Sequence, residues 1–86
     1  MKKPICWKEK YHLALKEEMT ISDIMLLRDC GRPRAASIRN KCIEFATKKG
    51  ISLEGRAIPV ELVFEVTGKN LEFYYQQMIN ESKYMQ

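Results

Sequence analysis

The chain has 86 residues, is 45% hydrophobic and carries a formal net charge of +4. This length can bury one modest hydrophobic core, so we expect a single domain over residues 1–86. The sequence contains no apolar run long enough for a membrane span or a signal peptide, which predicts a cytoplasmic protein with no membrane partner.

Side chains suited to catalysis or metal binding are few. Cys6, Cys30 and Cys42 are odd in number and form no C-x-x-C pair, and His12 is the only histidine. This set supports neither a disulfide framework nor a metal site, and Cys30 and Cys42 are expected as small core residues. Without a nucleophile beside a base, a phosphate-binding loop or spaced metal ligands, the sequence predicts a protein that is not an enzyme, with no catalytic residue, metal or cofactor.

Positive charge is concentrated in the first two thirds of the chain. Residues 1–56 contain 13 basic and 7 acidic side chains, whereas residues 57–86 contain 2 and 4. Between residues 28 and 49 there are seven basic side chains against Asp29 and Glu44. Such a segment within a folded domain suits a polyanionic partner. The alternative is a basic helix face that only contacts solvent.

An N-terminal arm is predicted over residues 1–15. Residues 7–15 alternate loosely between apolar and polar side chains, with Trp7, Tyr11, Leu13 and Leu15 on one side. This alternation favours a short strand or extended arm that packs on the helices.

Two helices joined by a short link are predicted next. Thr20, with Asp23 three positions later, is typical of a helix start, although a start near Lys16 is an alternative. Gly31 is expected to end this helix in the left-handed conformation, and Pro33 to lie in the first turn of the next helix. A link of three or four residues makes the helices cross steeply, which predicts a helix-turn-helix over residues 20–49.

The second helix of this pair, over residues 34–49, is predicted to be amphipathic. Its apolar face consists of Ala35, Ile38, Cys42, Phe45 and Ala46. Its polar face consists of Arg34, Ser37, Asn40, Lys41, Glu44 and Lys48. Arginine and lysine can bind guanine acceptors or phosphates, asparagine can pair with adenine, and serine can serve either purpose. Arg39 falls within the apolar arc, so we expect it to pair with Asp23 or Asp29 rather than to contact DNA.

A hairpin is predicted over residues 51–58. Two short apolar–polar alternations flank Glu54 and Gly55, a pair that favours a tight turn. The hairpin would form a wing beside the second helix, from which Arg56 would reach backbone phosphate or the minor groove. A solvent-exposed turn arginine is the alternative.

Two closing helices are predicted over residues 60–67 and 70–85. Pro59 begins the first and Gly68 follows its end, while Asn70 can cap the second. An apolar stripe follows the second helix and consists of Leu71, Tyr74, Tyr75, Met78, Ile79 and Met85. The stripe is expected to be core, or alternatively a surface for self-association or for another protein.

Two stretches of the sequence form motifs. The first stretch is Pro4-Ile5 followed by Trp7, Tyr11, Leu13 and Glu17-Glu18. The second stretch runs from Gly55-Arg56-Ala57-Ile58-Pro59 to Glu65-Val66-Thr67-Gly68. Both stretches resemble the winged-helix excisionases of temperate phages and conjugative transposons. The order of the predicted elements, with an N-terminal arm, a helix-turn-helix, a small hairpin and a C-terminal helix, is also similar.

This resemblance implies a mainly α winged-helix domain with a small β-hairpin. It implies a recombination directionality factor that binds double-stranded DNA near an attachment site, bends it and directs a tyrosine integrase toward excision. The expected DNA-binding residues are Arg32, Arg34, Ser37, Asn40, Lys41, Lys48 and Arg56. Two alternatives remain, namely a transcriptional repressor or antirepressor with the same fold, and a protein-interaction adaptor that uses the C-terminal helix.

Overall fold

The computed structural model describes residues 5–53, 55 and 57–84. Within these residues the chain forms five helices and a two-stranded sheet. The elements are α1 (Trp7–Ala14), β1 (Glu18–Met19), α2 (Ile21–Arg28), α3 (Arg32–Lys48), β2 (Ile58–Pro59), α4 (Val60–Thr67) and α5 (Leu71–Tyr84). The expected mainly helical fold is confirmed, and the two short strands form an antiparallel sheet. None of the helices in this described part combines the length and apolar character that a membrane span requires.

Residues 7–14 form a helix, so the predicted strand or extended arm is wrong. Lys10 appeared to belong to a polar side, yet it is only 4% exposed. Its ammonium group pairs with Asp29 and lies 4.2 Å from the centre of the Trp7 ring. Lys10 therefore belongs to the buried side of α1, and the buried positions follow helical spacing rather than the alternation of a strand. A lysine can occupy such a position when its charge is paired, because its long apolar stem can be buried.

The N-terminus of α1 is capped from the far end of the chain. Cys6 occupies the N-cap position but supplies no side-chain hydrogen bond. The backbone amide of Trp7 instead donates to both carboxylate oxygens of Glu81, at 3.1 and 3.2 Å. A carboxylate at this position satisfies an otherwise unpaired amide and opposes the positive end of the helix dipole. This contact ties α1 to α5, against which it packs.

α2 begins where the Thr20 motif predicts. The Asp23 amide donates to Thr20 Oγ1 at 3.2 Å, and the Thr20 amide donates to Asp23 Oδ2 at 3.0 Å. The helix ends at Asp29, which is left-handed with φ of 50°, whereas Gly31 has an extended φ of −78° and caps α3. The predicted role of Gly31 in ending α2 is therefore wrong, since aspartate also tolerates the left-handed conformation.

α3 follows after three residues, which confirms the predicted short link, and Pro33 lies in its first turn. The helix packs against both α2 and α4. Ala35, Cys42 and Ala46 are buried, and Ile38 and Phe45 are half-buried. The predicted apolar face is therefore the face that contacts the core.

The predicted hairpin within residues 51–58 is wrong, because its second strand pairs with a different part of the chain. Ile58 pairs with Met19 in an antiparallel register, and residues 51–53 lie outside any strand. Glu54 and Arg56 lie outside the described residues. Met19 and Ile58 are both fully buried. Their pairing in the core is therefore more stable than a two-stranded hairpin on the surface, because an isolated hairpin is only marginally stable in water.

α4 begins and ends, and α5 begins, close to the predicted positions. α4 starts after Pro59 and ends at Gly68, which adopts a left-handed φ of 74°. The Phe73 amide donates to Asn70 Oδ1 at 2.9 Å, which confirms Asn70 as the cap of α5. Local signals in the sequence therefore set both ends of α4 and the start of α5.

The stripe on α5 is divided between core and surface. Tyr74 is 1% exposed and packs beside Phe73 and Phe64, with ring centres 5.2 and 6.3 Å away. Tyr75 is 40% exposed but still contacts Tyr11, at 5.6 Å between ring centres. Met85 lies outside the described residues. The core expectation is thus met at Tyr74 and only partly along the rest of the helix.

Candidate nucleic-acid interface

α3 presents a polar face on the side opposite the core. The exposed side chains on this helix include Arg32, Arg34, Ser37, Asn40, Lys41, Glu44 and Lys48. Six of them are predicted DNA-binding residues, and the seventh, Glu44, is acidic. Arg56, the remaining predicted contact, lies outside the described residues. One helix therefore carries all the predicted contacts that the structure describes.

The start of α3 departs from the usual electrostatics of a helix N-terminus. Gly31 supplies no side-chain cap, and the first turn contains no acidic residue. Arg32 and Arg34 instead add positive charge at the positive end of the dipole, which costs about 0.3–1 kcal/mol per charge at an exposed site. Departures of this kind from local stability rules are expected at functional sites, and an anion at this end would be stabilised.

A cleft of ≈ 480 Å³ lies beside the first half of this helix. We call it the basic cleft; its lining residues are Arg28, Arg34, Ser37, Ile38, Lys41, Val66 and Thr67. They come from the end of α2, from α3 and from the end of α4. None of these lining residues is acidic, and within the described part of the chain Arg28, Arg34 and Lys41 form no ion pair.

Arg28 connects the basic cleft to the core. It lies in the last turn of α2, where the helix dipole favours a cation. Burial raises the pKa of the Tyr74 hydroxyl, and the neighbouring Arg28 guanidinium offsets part of that rise. The Tyr74 hydroxyl is buried and has no hydrogen-bond partner of acceptable geometry among the described residues. The contact between the guanidinium and the phenol oxygen therefore falls short of a well-formed hydrogen bond.

Arg28 and Thr67 were missing from the sequence-based site. Arg28 contributed to the count of positive charge between residues 28 and 49, but it belongs to α2 rather than to α3. Only the packing of α3 against α2 and α4 brings it to the same cleft as Arg34. No local pattern singles out Thr67, whose hydroxyl donates to the Val63 carbonyl at 2.8 Å.

Arg39 is half-buried and lies off the exposed face, as its wheel position predicts. The two acidic residues expected as its partners pair with lysines, Asp23 with Lys16 at 3.0 Å and Asp29 with Lys10. The exposed face of α3 is thus separate from the ion pairs that join α2 to the N-terminal segment.

The three cysteine thiols differ in burial. Cys42 is fully buried, which raises the pKa of its thiol to about 11 and keeps it protonated at neutral pH. Cys30 is half-buried and Cys6 is exposed. In the part of the chain that the structure describes, no group of three or more histidine, cysteine, aspartate or glutamate residues could hold a metal ion.

Comparisons with models of protein families, with curated proteins and with solved structures gave no match to this chain. Geometry and charge alone therefore identify α3 and the basic cleft as the candidate site.

Proposed function

We propose that this chain is a non-enzymatic protein that binds double-stranded DNA, with α2 and α3 as a helix-turn-helix and α3 in the major groove. One observation carries the proposal: α3 exposes Arg34, Asn40 and Lys41 on its polar face, beside a cleft without acidic side chains. An α-helix with its side chains is about 10–12 Å across, and the major groove is about 12 Å wide, so the 17-residue α3 can lie within the groove.

Different residues on this face would have different roles. Lys41 and Lys48 suit phosphates, because an ammonium group neutralises charge without reading sequence. Asn40 suits an adenine edge, and Ser37 can donate to a base or a phosphate. The phosphate contacts would set affinity and salt dependence, and the amide contact would set sequence preference.

A double substitution tests the assignment of α3. We expect Lys41→Gln/Lys48→Gln to weaken binding to every duplex and to flatten the plot of log affinity against log salt by about 1.8, since each lost phosphate contact contributes about 0.9. Fluorescence anisotropy with a labelled duplex at several salt concentrations measures both effects.

Lys8→Gln/Lys83→Gln is the matched control, because both lysines are exposed on other helices and the net charge changes equally. Its salt slope should stay unchanged. If both double variants lose affinity equally, binding depends on overall charge and α3 is not the interface. Asn40→Ala should alter the ranking of DNA sequences rather than the salt slope.

The resemblance to winged-helix excisionases extends the proposal to a role in recombination. In this role the protein bends DNA near an attachment site, contacts it a second time through Arg56, and directs a tyrosine integrase toward excision. An excision assay in vitro with the integrase of the same element tests this role. Stimulation of excision supports it, whereas promoter repression without stimulation supports a transcriptional regulator that uses the same helix.

A further inference from the structure

We propose that the basic cleft binds one phosphate group of the DNA backbone, with Arg28 as a direct phosphate ligand and Tyr74 as the residue that positions it. This inference rests on the proposed function and adds a contact from α2, outside the recognition helix. The phosphate would lie between the end of α2 and the first half of α3.

The charge of the cleft fits a phosphate. Arg28, Arg34 and Lys41 converge on it from two helices, and none of them is paired with a carboxylate within the described residues. Three neighbouring cations repel one another, so an anion between them relieves this repulsion. The two guanidinium groups offer planar forks that match phosphate oxygens, which favours a phosphate over a halide ion.

The hydroxyl groups of the cleft divide into two kinds. Ser37 is exposed and can donate to a phosphate oxygen. Thr67 already donates to the carbonyl of Val63, so it forms part of the wall rather than a ligand. The expected ligands are therefore Arg28, Arg34, Lys41 and Ser37.

The buried Tyr74 hydroxyl is a second observation. It lacks a well-formed hydrogen bond among the described residues, and the group that it interacts with is the Arg28 guanidinium. A guanidinium has five N–H donors and no acceptor, whereas a phenol oxygen can accept. A small rotation of Arg28 toward the phenol lets one N–H bond to Tyr74 while other donors face the phosphate. Phosphate binding would thus complete the hydrogen bonding of a buried group.

The first experiment uses inorganic phosphate and the whole protein. In an NMR titration at constant ionic strength, phosphate should cause saturable shifts in the amide signals of Ser37, Val66 and Thr67, and chloride should not. Arg28→Gln should abolish these shifts, whereas Lys8→Gln should keep them because Lys8 is exposed on α1 and does not line the cleft. Shifts that persist in Arg28→Gln, or that chloride reproduces, would overturn the proposed site.

The second experiment uses a labelled duplex and identifies the source of the phosphate. Arg28→Gln should weaken binding to all sequences about tenfold, as expected for a lost hydrogen bond to a charged group, and should lower the salt slope by about 0.9. An unchanged slope in Arg28→Gln, with the slope reduced in Lys41→Gln/Lys48→Gln, would overturn this inference and leave the proposed function standing. If neither variant changes the slope, both are overturned.

Tyr74→Phe tests the positioning role, because it keeps the ring and removes only the hydroxyl group. We expect about threefold weaker binding of the duplex with an unchanged melting temperature. Combined with Arg28→Gln, it should cause no further loss, since Tyr74 acts only through Arg28. A loss in the double variant equal to the product of the two single losses would show that Tyr74 acts independently of Arg28.

Discussion

Asp23 stabilises the start of α2 through two contacts. Its carboxylate accepts hydrogen bonds from the Thr20 amide and from the Lys16 ammonium, both at 3.0 Å. Burial alone would raise the pKa of Asp23, but these hydrogen bonds and the charge of Lys16 together lower it. A lowered pKa in the folded state means that the ionised carboxylate stabilises the fold above the pKa of the unfolded state. This stabilisation is lost as the pH falls through the lower, folded-state pKa.

We therefore expect Asp23→Ala to lower the free energy of unfolding by about 1 kcal/mol at pH 7, as for other helix caps. The difference from the unchanged protein should shrink as the pH falls below about 4, the ordinary pKa of aspartate. Urea unfolding at pH 7 and pH 3 measures this. Ser22→Ala, at the exposed neighbouring position, should change stability by less than about 0.5 kcal/mol at both pH values. A loss independent of pH would show that the ionised form contributes nothing.

At the scale of elements, α5 stabilises α1 through its cap and through ring contacts. Besides the carboxylate of Glu81 on the Trp7 amide, the Trp7 ring meets Phe73 edge to face at 5.9 Å between ring centres. Tyr11 meets Tyr75 at 5.6 Å. Phe73 and Tyr75 of α5 thus make ring contacts within the chain, which leaves less of the helix surface for self-association or another protein.

Removal of the long-range cap should loosen α1 selectively. We expect Glu81→Ala to cost about 1 kcal/mol of stability, because the Trp7 amide loses its acceptor and the dipole loses its counter-charge. Hydrogen exchange should speed up most in the first turn of α1, as observed by NMR. Glu65→Ala is charge-matched and exposed on α4, and it should leave exchange in α1 unchanged. Equal acceleration in both variants would argue against a specific cap.

At the scale of the whole molecule, the short sheet joins the two halves of the chain. Met19 pairs with Ile58, and the Val60 amide donates to the Glu17 carbonyl at 2.9 Å. Both strand side chains are fully buried, so the sheet fixes the segment after α1 against the start of α4. α2 and α3 lie between these strands in the chain. The sheet thus brings together the two ends of the segment that contains α2 and α3, and with them the candidate interface.

Truncation of the sheet's core contact should therefore affect the whole fold. We expect Met19→Ala to cost about 2–5 kcal/mol, a large share of the roughly 5–15 kcal/mol typical of a domain. Thermal unfolding should show a correspondingly lower melting temperature for all helices together. Leu15→Ala, at a position that is 53% exposed, should have little effect. A small loss in Met19→Ala would mean that the sheet is not part of the core.

Elements whose boundaries depend on local signals were predictable from the sequence alone. Thr20, Pro33 and Asn70 identified the starts of α2, α3 and α5, because caps and first-turn prolines act within a few residues. The exposed face of α3 followed from its helical period, since core residues at 3.6-residue spacing leave the opposite face to solvent. Most of the candidate contacts were therefore predictable from one segment of chain.

Features that depend on contacts between distant residues were not predictable from the sequence and became apparent in the folded chain. Lys10 is buried in a helix because Asp29 neutralises it, and Ile58 pairs with Met19 because both can reach the core. Arg28 lines the basic cleft because α2 packs against α3, near the buried Tyr74. These three features have the same physical reason. Burial and charge pairing depend on residues that are far apart in sequence, and local propensity carries no information about such contacts.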